Sequence, residues 1–463
     1  MIIVIGLGCA TLSPGTAHAG TRTDVWCGLE PPTSERIIAA DREGVWTANG
    51  ARYRVDGRLD ATLVLPAPLK QLRFAATGPM GPVVVGTFKG PVGTAAAGAI
   101  GGLLAGYDRQ QKETWSVTLG GDDPRNSIRD LHGLYVDDAG NTVLAGHFSG
   151  CIRFDVTAKR TCVDPAVAHR NGESCDGEPC PAAFVATYDP KGKLRNVSAF
   201  AGYPSQFFAA ASDGRVALGG SFIGSLDLDP DPKHEVLVSN PSPTKKTASQ
   251  AFWSVFEPRA SGLRMVDGRA LIGADATNVE GLTFDSDGAL VIVARVQPAL
   301  KGATALSDGK RTSPLSAQPL KGLVLLTVPA HGPPSPVESL EPARFQPGAD
   351  FVLLPSRQGG VFGFGPLIVP PGTPQVEAPW PGQAELAIVG LGAGARGWAV
   401  RVPAGFTPAT ATVNGDQVCF GFRLLGQHQL PGAGGTVTLG EKHAATPAIG
   451  CFKLPPAAKE GSH

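Results

Sequence analysis

A short motif, G-x-F-x-G, recurs along the chain and constrains the fold more than any other feature. Its three copies span 86–90, 146–150 and 220–224, and each follows a run of aliphatic residues. The second and third runs are preceded by tight-turn signals at 138–141 and 213–214. An apolar run, a tight turn and a second apolar run are typical of a β-hairpin. The motif therefore predicts a repeat of hairpins.

Weaker copies extend the repeat to seven units, and a second hairpin follows each first one. The weaker units centre on 37–47, 282–293, 351–364 and 411–420; second hairpins are clear at 103–117, 184–197 and 252–266. Each unit is thus four antiparallel strands, and such sheets bury both faces when they are stacked around an axis. We predict an all-β fold, a single seven-bladed β-propeller of four-stranded antiparallel blades over 20–455. The high content of Gly (61) and Pro (41) agrees, because helix interiors tolerate both poorly.

The two ends of the chain are expected to meet in one sheet. The last unit supplies three strands, ending at 449–454, and the segment 23–27 is free to pair there as the fourth. This N-terminal strand would close the ring. Cys451 would then neighbour both Cys27 and Cys419, and a disulfide to either one fits the sequence.

The start of the chain and its cysteines predict export. Residues 1–19 contain an apolar run followed by Ala17-His18-Ala19, which is typical of a signal peptide and its cleavage site. No later run is long and apolar enough for a membrane span, and 456–463 is predicted to be a disordered tail. Four cysteines form a cluster: Cys151, Cys162, Cys175 and Cys180. Their spacings favour disulfides in two small loops over a zinc site, so we expect a periplasmic, extracellular or cell-surface protein.

One stretch resembles a known bacterial repeat. Residues 115–123 combine a Trp strand with a Gly-Gly turn and Asp, and 136–146 contain D-x-x-G-N before a strand that ends in Gly. These features are similar to the seven-bladed β-propeller repeat of exported bacterial proteins. The resemblance implies an exported propeller and brings no catalytic residues with it. Residues 138–142 also share D-x-G-x-T with the sialidase Asp box, but the flanking Ser and Trp are absent, so this match does not indicate a glycosidase.

The overall charge excludes one class of partner. Lys and Arg number 40, as do Asp and Glu, so the chain has no broad basic field for nucleic acid. We expect a monomer that binds a protein, a glycan or a cell-surface component. No G-x-S-x-G elbow, Walker loop or H-E-x-x-H motif occurs.

The extra length of the units falls repeatedly between the second and third strands. These insertions span roughly 90–102, 150–182, 225–250, 297–321, 367–383 and 426–446. In a propeller these connections share one face, and loops on a rigid scaffold often bind ligands. Trp380, on one Pro-rich insertion, could stack on a sugar or peptide, or lie on its own blade.

Polar residues on the inner strands define a second candidate site, at the central channel. They are Arg73, Asp130, His132, Glu280 and Asp350. His132 and His147 lie near the ends of paired strands, where a ligand contact or a general base is conceivable, although an ordinary polar side chain is the commoner case. Asp130 is placed to orient His132.

An acidic run offers a candidate cation site. Asp227, Asp229 and Asp231 alternate along the chain, and calcium prefers several hard oxygen ligands on a flexible loop. Two prolines stiffen the run and the glycine of an EF-hand is missing, so a solvated acidic turn is the favoured alternative. Calcium is the one cofactor that the sequence suggests.

Two main functions remain open at this point. The first is an exported, non-catalytic binding or scaffold module that uses the face with the insertions. The alternative is a hydrolase or lyase with its site at the central channel. A purely structural envelope protein is a weaker third. Convergence of three or more of the inner-strand side chains would favour the enzyme.

Overall fold

The computed structural model describes most of 44–329 and, outside that span, a set of strands. The gaps within that span are 55–58, 94, 165–178, 212, 230, 232–233, 240–247, 260–261, 274, 286, 298–303 and 316–321. No helix occurs in this described part, so none there is long and apolar enough to cross a membrane. Contacts divide the chain into two compact units. One comprises Met1–Leu63, Asp285–Asp287 and Ala343–His463, and the other comprises Val64–Phe284 and Gly288–Pro342.

The strands are numbered in chain order, and the larger sheets are numbered 1 to 7. Strand β1 is Cys27–Leu29. Sheet 1 contains β2 (Ile37–Ala40), β3 (Gly44–Thr47), β4 (Ala51–Arg54) and β5 (Leu59–Thr62). Sheet 2 contains β6 (Phe74–Gly78), β7 (Gly81–Lys89), β8 (Ile100–Tyr107) and β9 (Glu113–Leu119). Sheet 3 contains β10 (Ser127–Val136), β11 (Thr142–Ser149), β14 (Pro181–Tyr188) and β15 (Leu194–Ala201), with the hairpin β12 (Cys151–Ile152) and β13 (Thr161–Cys162) inserted.

Sheets 4 and 5 follow the same plan. Sheet 4 contains β16 (Ser205–Ala210), β17 (Val216–Phe222), β20 (Gln250–Arg259) and β21 (Gly262–Ile272), with the hairpin β18 (Ser225–Asp227) and β19 (Leu237–Ser239) inserted. Sheet 5 contains β22 (Ala276–Phe284), β23 (Leu290–Gln297), β26 (Gly322–Val328) and β27 (Glu338–Leu340), with the hairpin β24 (Ala305–Ser307) and β25 (Thr312–Pro314) inserted.

Sheets 6 and 7 complete the set. Sheet 6 contains β28 (Val352–Pro355), β29 (Val361–Gly365), β31 (Ala384–Leu391) and β32 (Ala399–Pro403), with β30 (Gln375–Val376) parallel to β32. Sheet 7 contains β33 (Phe406–Asn414), β34 (Gln417–Leu425) and β37 (Ala445–Lys453), with β1 as its fourth strand; β35 (His428–Gly432) and β36 (Gly435–Leu439) form the inserted hairpin. The predicted all-β class and four-stranded antiparallel sheets are therefore confirmed.

The N-terminal strand pairs in the last sheet, as its missing fourth strand. Cys27 lies opposite Cys451 in the backbone register, and Cys451 lies opposite Cys419 on its other side. The pairing strand begins at Cys27, where the predicted segment 23–27 ends; 23–26 lie outside the described residues. The side chains of these three cysteines also lie outside what is described, so the choice of disulfide partner stays a prediction.

In the larger unit, apolar cores lie between successive sheets. Strands β6, β10, β16 and β22, the first of each sheet, contact one another in succession. A Cβ at Gly133 on β10 would overlap the Phe208 ring on β16, so glycine permits this close approach. The Phe of each G-x-F-x-G motif is buried: Phe88 is 6% exposed, Phe148 0% and Phe222 2%. The motif therefore serves packing. In the smaller unit, β28, β33 and β2 also contact in succession.

The longest connections run between second and third strands, and their hairpins pack as part of the core. Ile152 and Phe154, from the insertion of sheet 3, are fully buried in a cluster that includes Leu119 of sheet 2. The backbones of Arg153 and Gly120 exchange hydrogen bonds of 2.9 and 3.1 Å. In the same way, β24 from the insertion of sheet 5 pairs with β21 of sheet 4. These insertions tie each sheet to the preceding one.

The predicted disulfides are present in the described part of the chain. Cys151 and Cys162 form a bond that closes the β12–β13 hairpin. Cys180 is also disulfide-bonded, and Cys175 lies outside the described residues. These three sulfurs are consequently unavailable as zinc thiolates.

Candidate functional site

Polar side chains occupy one equivalent position in three successive sheets. The first strands of sheets 3, 4 and 5 each carry a β-bulge, and the extra residue is His132, Gln206 or Glu280 respectively. These three residues follow one another at equal intervals of 74 positions. In each sheet, the bulge residue faces the second strand between two consecutive residues. One of these is the residue aligned with Gly146, and the other is the residue before it. The bulge is thus a feature of the repeat.

Arg73 holds the equivalent position in sheet 2. The first glycine of each motif lies against a carbonyl oxygen in the first strand or just before it, and these oxygens belong to Gln71, Asp130 and Pro204. The residues two positions after Gln71, Asp130 and Pro204 are Arg73, His132 and Gln206, respectively. Arg73 lies one residue before β6 and donates its backbone N–H to the Val85 carbonyl at 2.8 Å. We name Arg73, His132, Gln206 and Glu280 the first-strand row.

Bulges and strand contacts explain why these side chains form a row. A bulge leaves its extra residue outside the hydrogen-bonded ladder and re-aims its side chain. Because the first strands contact one another in succession, equivalent positions on them follow each other across the four sheets. The row lies toward the end of the sheets that bears the insertions. Asp130, which is next to the row, lies opposite His147, and the insertion of sheet 3 begins shortly after His147, at 150.

An ion pair joins sheets 2 and 3 at this row. Asp130 Oδ1 accepts hydrogen bonds from Arg73 Nη2 at 2.7 Å and from the Leu131 N–H at 2.9 Å. The side chains of Arg73 and Asp130 are 40% and 46% exposed. Partial burial acts to raise the pKa of Asp130, but the hydrogen bonds and the Arg73 charge outweigh it, so this pKa lies below its ordinary value. Asp130 is therefore ionised at neutral pH.

Two histidines extend the site inward. His132 Nε2 lies 3.2 Å from His147 Nδ1, and His147 Nε2 lies 3.1 Å from the carbonyl oxygen of Tyr203. Burial lowers the pKa of His147 to about 4, assisted by the neighbouring His132. Burial also lowers the pKa of His132, although Asp130 opposes this shift. Both rings are therefore neutral at neutral pH.

Three of the five predicted channel residues come together here, because Asp130 and Arg73 both interact electrostatically with His132. With His147, these three residues form what we name the Asp130 cluster. Glu280 takes no part in it: its Oε1 accepts a hydrogen bond from Arg295 Nε at 2.6 Å within sheet 5. Asp350 lies outside the described residues, as does Trp380.

The acidic run Asp227, Asp229 and Asp231 begins at the end of β18. Two of its carboxylates accept hydrogen bonds from the backbone, whereas a calcium loop would direct several carboxylates at one ion. Asp227 Oδ1 accepts hydrogen bonds from the backbone N–H of Asp229 at 3.2 Å and from that of Val236 at 2.9 Å. Asp229 Oδ1 accepts a hydrogen bond from the backbone N–H of Asp231 at 3.0 Å. Burial and the neighbouring carboxylates raise the pKa of Asp229. No group of three side chains suited to a metal occurs among the described residues. These contacts are those of a turn, and the calcium interpretation stays a prediction.

A separate cleft of about 780 Å³ lies between sheets 4 and 5, at the end with the short turns. Its charges satisfy one another. Glu257 accepts hydrogen bonds from Arg259 at 2.6 Å and Arg264 at 2.7 Å, and these bonds lower its pKa. Arg215 Nε similarly donates to Asp213 at 2.8 Å. The cleft therefore has less unused hydrogen-bonding capacity than the Asp130 cluster.

Two contributors to the site were not predicted from the sequence. Gln206 was missed because it carries no charge, although its equal spacing from His132 and Glu280 would have found it. The Tyr203 carbonyl was missed because a main-chain acceptor leaves no trace in residue type. His147 was predicted as a ligand-binding residue; its place in the fold is behind His132, in contact with the protein's own backbone.

Comparisons with known proteins come from solved structures. No family model matches the chain, and no curated protein matches it significantly. The chain is similar to puromycin hydrolase, with 12% identity and a TM-score of 0.33 over 88% of this chain and 52% of that one. For a puromycin hydrolase mutant complexed with PGG, the identity is 13% and the TM-score 0.34, over 86% of this chain and 51% of that one. The chain therefore spans about half the length of these proteins.

Proposed function

We propose that this chain is an exported, non-catalytic β-propeller that binds its ligand through the part of the first-strand row formed by Arg73, His132 and Gln206. The observation that carries the proposal is the run of polar side chains at three equivalent positions, which lie on the first strands of sheets 3 and 4 and just before that of sheet 2. These positions are not part of the core, since Gln206 is exposed and Arg73 and His132 are only partly buried. Several of their polar atoms have no partner in the described part of the chain, so they are available to a ligand.

The architecture we propose is a single seven-bladed propeller. Seven sheets of four or more strands among the described residues, and the pairing of β1 with β37, support a ring closed by its N-terminal strand. Disulfides at Cys151 and Cys180 support an oxidising compartment, and hence export. The partner would be a glycan, a protein or a cell-surface component, bound by a monomer.

The position of the row refines the expected binding face. The insertion hairpins bury their apolar residues against the preceding sheet, and so contribute rigidity more than free loops. The row lies at the same end of the sheets and offers unpaired donors and acceptors. We therefore place the ligand on the first strands, with the insertions as its surroundings.

The test is a binding screen on the full-length secreted protein, with thermal shift as the first readout and titration calorimetry for every positive compound. The screen covers oligosaccharides, peptidoglycan fragments and calcium. A variant with Arg73→Ala and Gln206→Ala should lose binding to any true ligand. The matched control is Arg259→Ala, which removes an arginine that also pairs with a carboxylate but lies in the short-turn cleft. Equal binding by both variants and the wild type would contradict the proposed site.

A hydrolase or lyase is the second candidate, and the Asp130 cluster favours it. Asp130 lies near His132, and a neutral histidine beside a carboxylate is able to act as a general base. Turnover of a bound oligosaccharide that is lost in His132→Ala, with binding retained, would replace the binding module by this enzyme. Binding without turnover over a day of incubation would exclude it for that compound.

A further inference from the structure

Hydrogen bonding fixes the tautomers of both histidines in the Asp130 cluster. A carbonyl oxygen only accepts, so His147 Nε2 must carry the proton that it shares with Tyr203. Neutral His147 then has a bare Nδ1, which accepts from His132 Nε2–H at 3.2 Å. Neutral His132 is left with a bare Nδ1. That atom has no protein partner in the described part of the chain.

Asp130 and Arg73 interact electrostatically with His132, and their unused polar atoms include both donors and acceptors. Arg73 uses one terminal nitrogen for Asp130, which leaves its Nε and the other terminal nitrogen as donors. Asp130 accepts both of its hydrogen bonds through Oδ1, and Oδ2 stays available as an acceptor. The Gln206 side chain is exposed on the neighbouring first strand and offers a donor and an acceptor.

The charges of the row cancel in pairs. Arg73 and Asp130 neutralise each other, and so do Glu280 and Arg295. The histidines add no charge at neutral pH. An anion would meet Asp130 beside the arginine that attracts it, and a cation would meet Arg73. Neither ion gains a net attraction here.

We infer that the part of the first-strand row formed by Arg73, His132 and Gln206 binds a neutral carbohydrate, one of whose hydroxyls donates to His132 Nδ1 while a neighbouring oxygen accepts from Arg73. A hydroxyl both donates and accepts, so a pair of adjacent hydroxyls matches an adjoining acceptor and donor without bringing charge. His147 acts as a positioning residue, because it fixes which nitrogen of His132 faces the sugar. This inference rests on the proposed function and specifies its ligand class.

The first experiment reads the tautomers without any ligand. In full-length protein labelled with ¹⁵N-histidine, long-range ¹H–¹⁵N spectra at neutral pH distinguish protonated from bare ring nitrogens, and His132→Gln and His147→Gln variants assign the signals. We expect Nε2–H for both His132 and His147. A His132 ring protonated on Nδ1 would overturn the inference, whatever the protein binds.

The second experiment compares two sugars of the same α-1,4 linkage that differ only at C6 of each residue, a hydroxymethyl group in one and a carboxylate in the other. The probes are galactotetraose and tetragalacturonate, measured by calorimetry, with cellotetraose, mannotetraose and chitotetraose completing the neutral set. We expect binding of at least one neutral probe that perturbs the His132 signals, and tetragalacturonate binding at least about tenfold more weakly than a binding neutral probe. Tighter binding of the uronate through Arg73 would overturn the neutral-ligand inference and keep the proposed binding site. No binding by any neutral probe would overturn the inference outright.

Two variants at His147 separate positioning from general structure. Gln in His147→Gln can donate to the Tyr203 carbonyl and accept from His132 Nε2–H, whereas Leu in His147→Leu can do neither. We expect affinity for the binding neutral probe to fall about tenfold in His147→Leu and to stay within about threefold in His147→Gln. The same loss in both variants, with unchanged melting temperatures, would show that His147 does not act through hydrogen bonding. If the wild-type protein shows the expected tautomers but binds no neutral probe, the inferred ligand class is wrong. If a neutral probe binds equally well to the wild type and to Arg73→Ala, the proposed site is wrong.

Discussion

The two halves of the first-strand row use the same repeat position in different ways. At sheets 2 and 3, Arg73 and Asp130 pair across the two sheets, are nearly half exposed, and keep unused donors and acceptors. At sheet 5, Glu280 pairs with Arg295 within its own sheet, and their side chains are only 21% and 19% exposed. In our proposal the first pair meets the ligand, whereas the second pair satisfies its hydrogen bonds within its own sheet. Polar residues at equivalent positions therefore need not share a role, and burial together with partner choice distinguishes them.

The largest expected effect is on how the free energy of unfolding changes with pH in the wild type and in His147→Gln. His147 has its pKa lowered from 6.5 to about 4 by burial, so the folded state disfavours its protonated form. Stability from this residue is complete above pH 6.5 and is lost as pH falls toward 4, because the unfolded chain binds the proton first. The loss is on the order of 3 kcal/mol. Urea unfolding at a series of pH values should show this slope in the wild type and a much smaller one in His147→Gln.

Gln206, on the neighbouring sheet 4, provides the control for that experiment. Gln206→Ala removes a side chain that does not titrate and leaves the histidines unchanged, so its slope between pH 6.5 and 4 should match that of the wild type. Asp130 titrates below this window because its pKa is lowered. An unchanged slope in His147→Gln would show that another group produces the pH dependence.

The next contrast is the stability of the two ion pairs. Glu280→Ala leaves Arg295 without its carboxylate in a site where both side chains are largely buried. We expect a loss of about 2 kcal/mol in the free energy of unfolding, below the range for a fully buried pair, and ligand affinity within about threefold of the wild type. Urea denaturation and calorimetry measure the two quantities. A large loss of affinity with unchanged stability would move the ligand site toward sheet 5.

Asp130→Ala should give the opposite pattern at a smaller stability cost. The pair with Arg73 is exposed to solvent, and such pairs contribute about 1 kcal/mol or less. Affinity for the ligand should fall by about tenfold or more, because Arg73 loses the group that positions it. If Asp130→Ala unfolds the protein more than Glu280→Ala does, the assignment of a binding role to one half and a structural role to the other is wrong.

Much of the fold could be predicted from the sequence, since each repeat contains its own local signals. Tight-turn residues between apolar runs mark the hairpins, and Phe148 and Phe222 mark the same packing position in different sheets. The insertion hairpins were less accessible to prediction. Ile152 and Phe154 flank one arginine at the end of a two-residue strand, a pattern too short to predict burial, so only packing against sheet 2 reveals that they are buried.

The site was predictable in its residues and less so in its connections. Asp130 and His132 are close in sequence and on one strand, so their joint role could be expected. The pairing of Arg73 with Asp130 joins different sheets, and no local pattern encodes it. Glu280 was predicted as a channel residue, but its carboxylate pairs with Arg295 on the next strand of the same sheet. Residue type alone does not show that this pair satisfies itself.

The smallest expected effect concerns Gln206, which lies between the two halves of the row. Its side chain is exposed and neutral, so its removal should leave the free energy of unfolding within about 0.5 kcal/mol of the wild type. Gln206→Ala should weaken ligand binding about threefold if the ligand extends from the Asp130 cluster toward sheet 4, since one neutral hydrogen bond is lost. The control is Gln110→Ala, an exposed glutamine in a turn of sheet 2 that should change neither quantity. Equal affinities for Gln206→Ala and Gln110→Ala would confine the ligand to sheets 2 and 3, and would place the boundary between the two halves before Gln206.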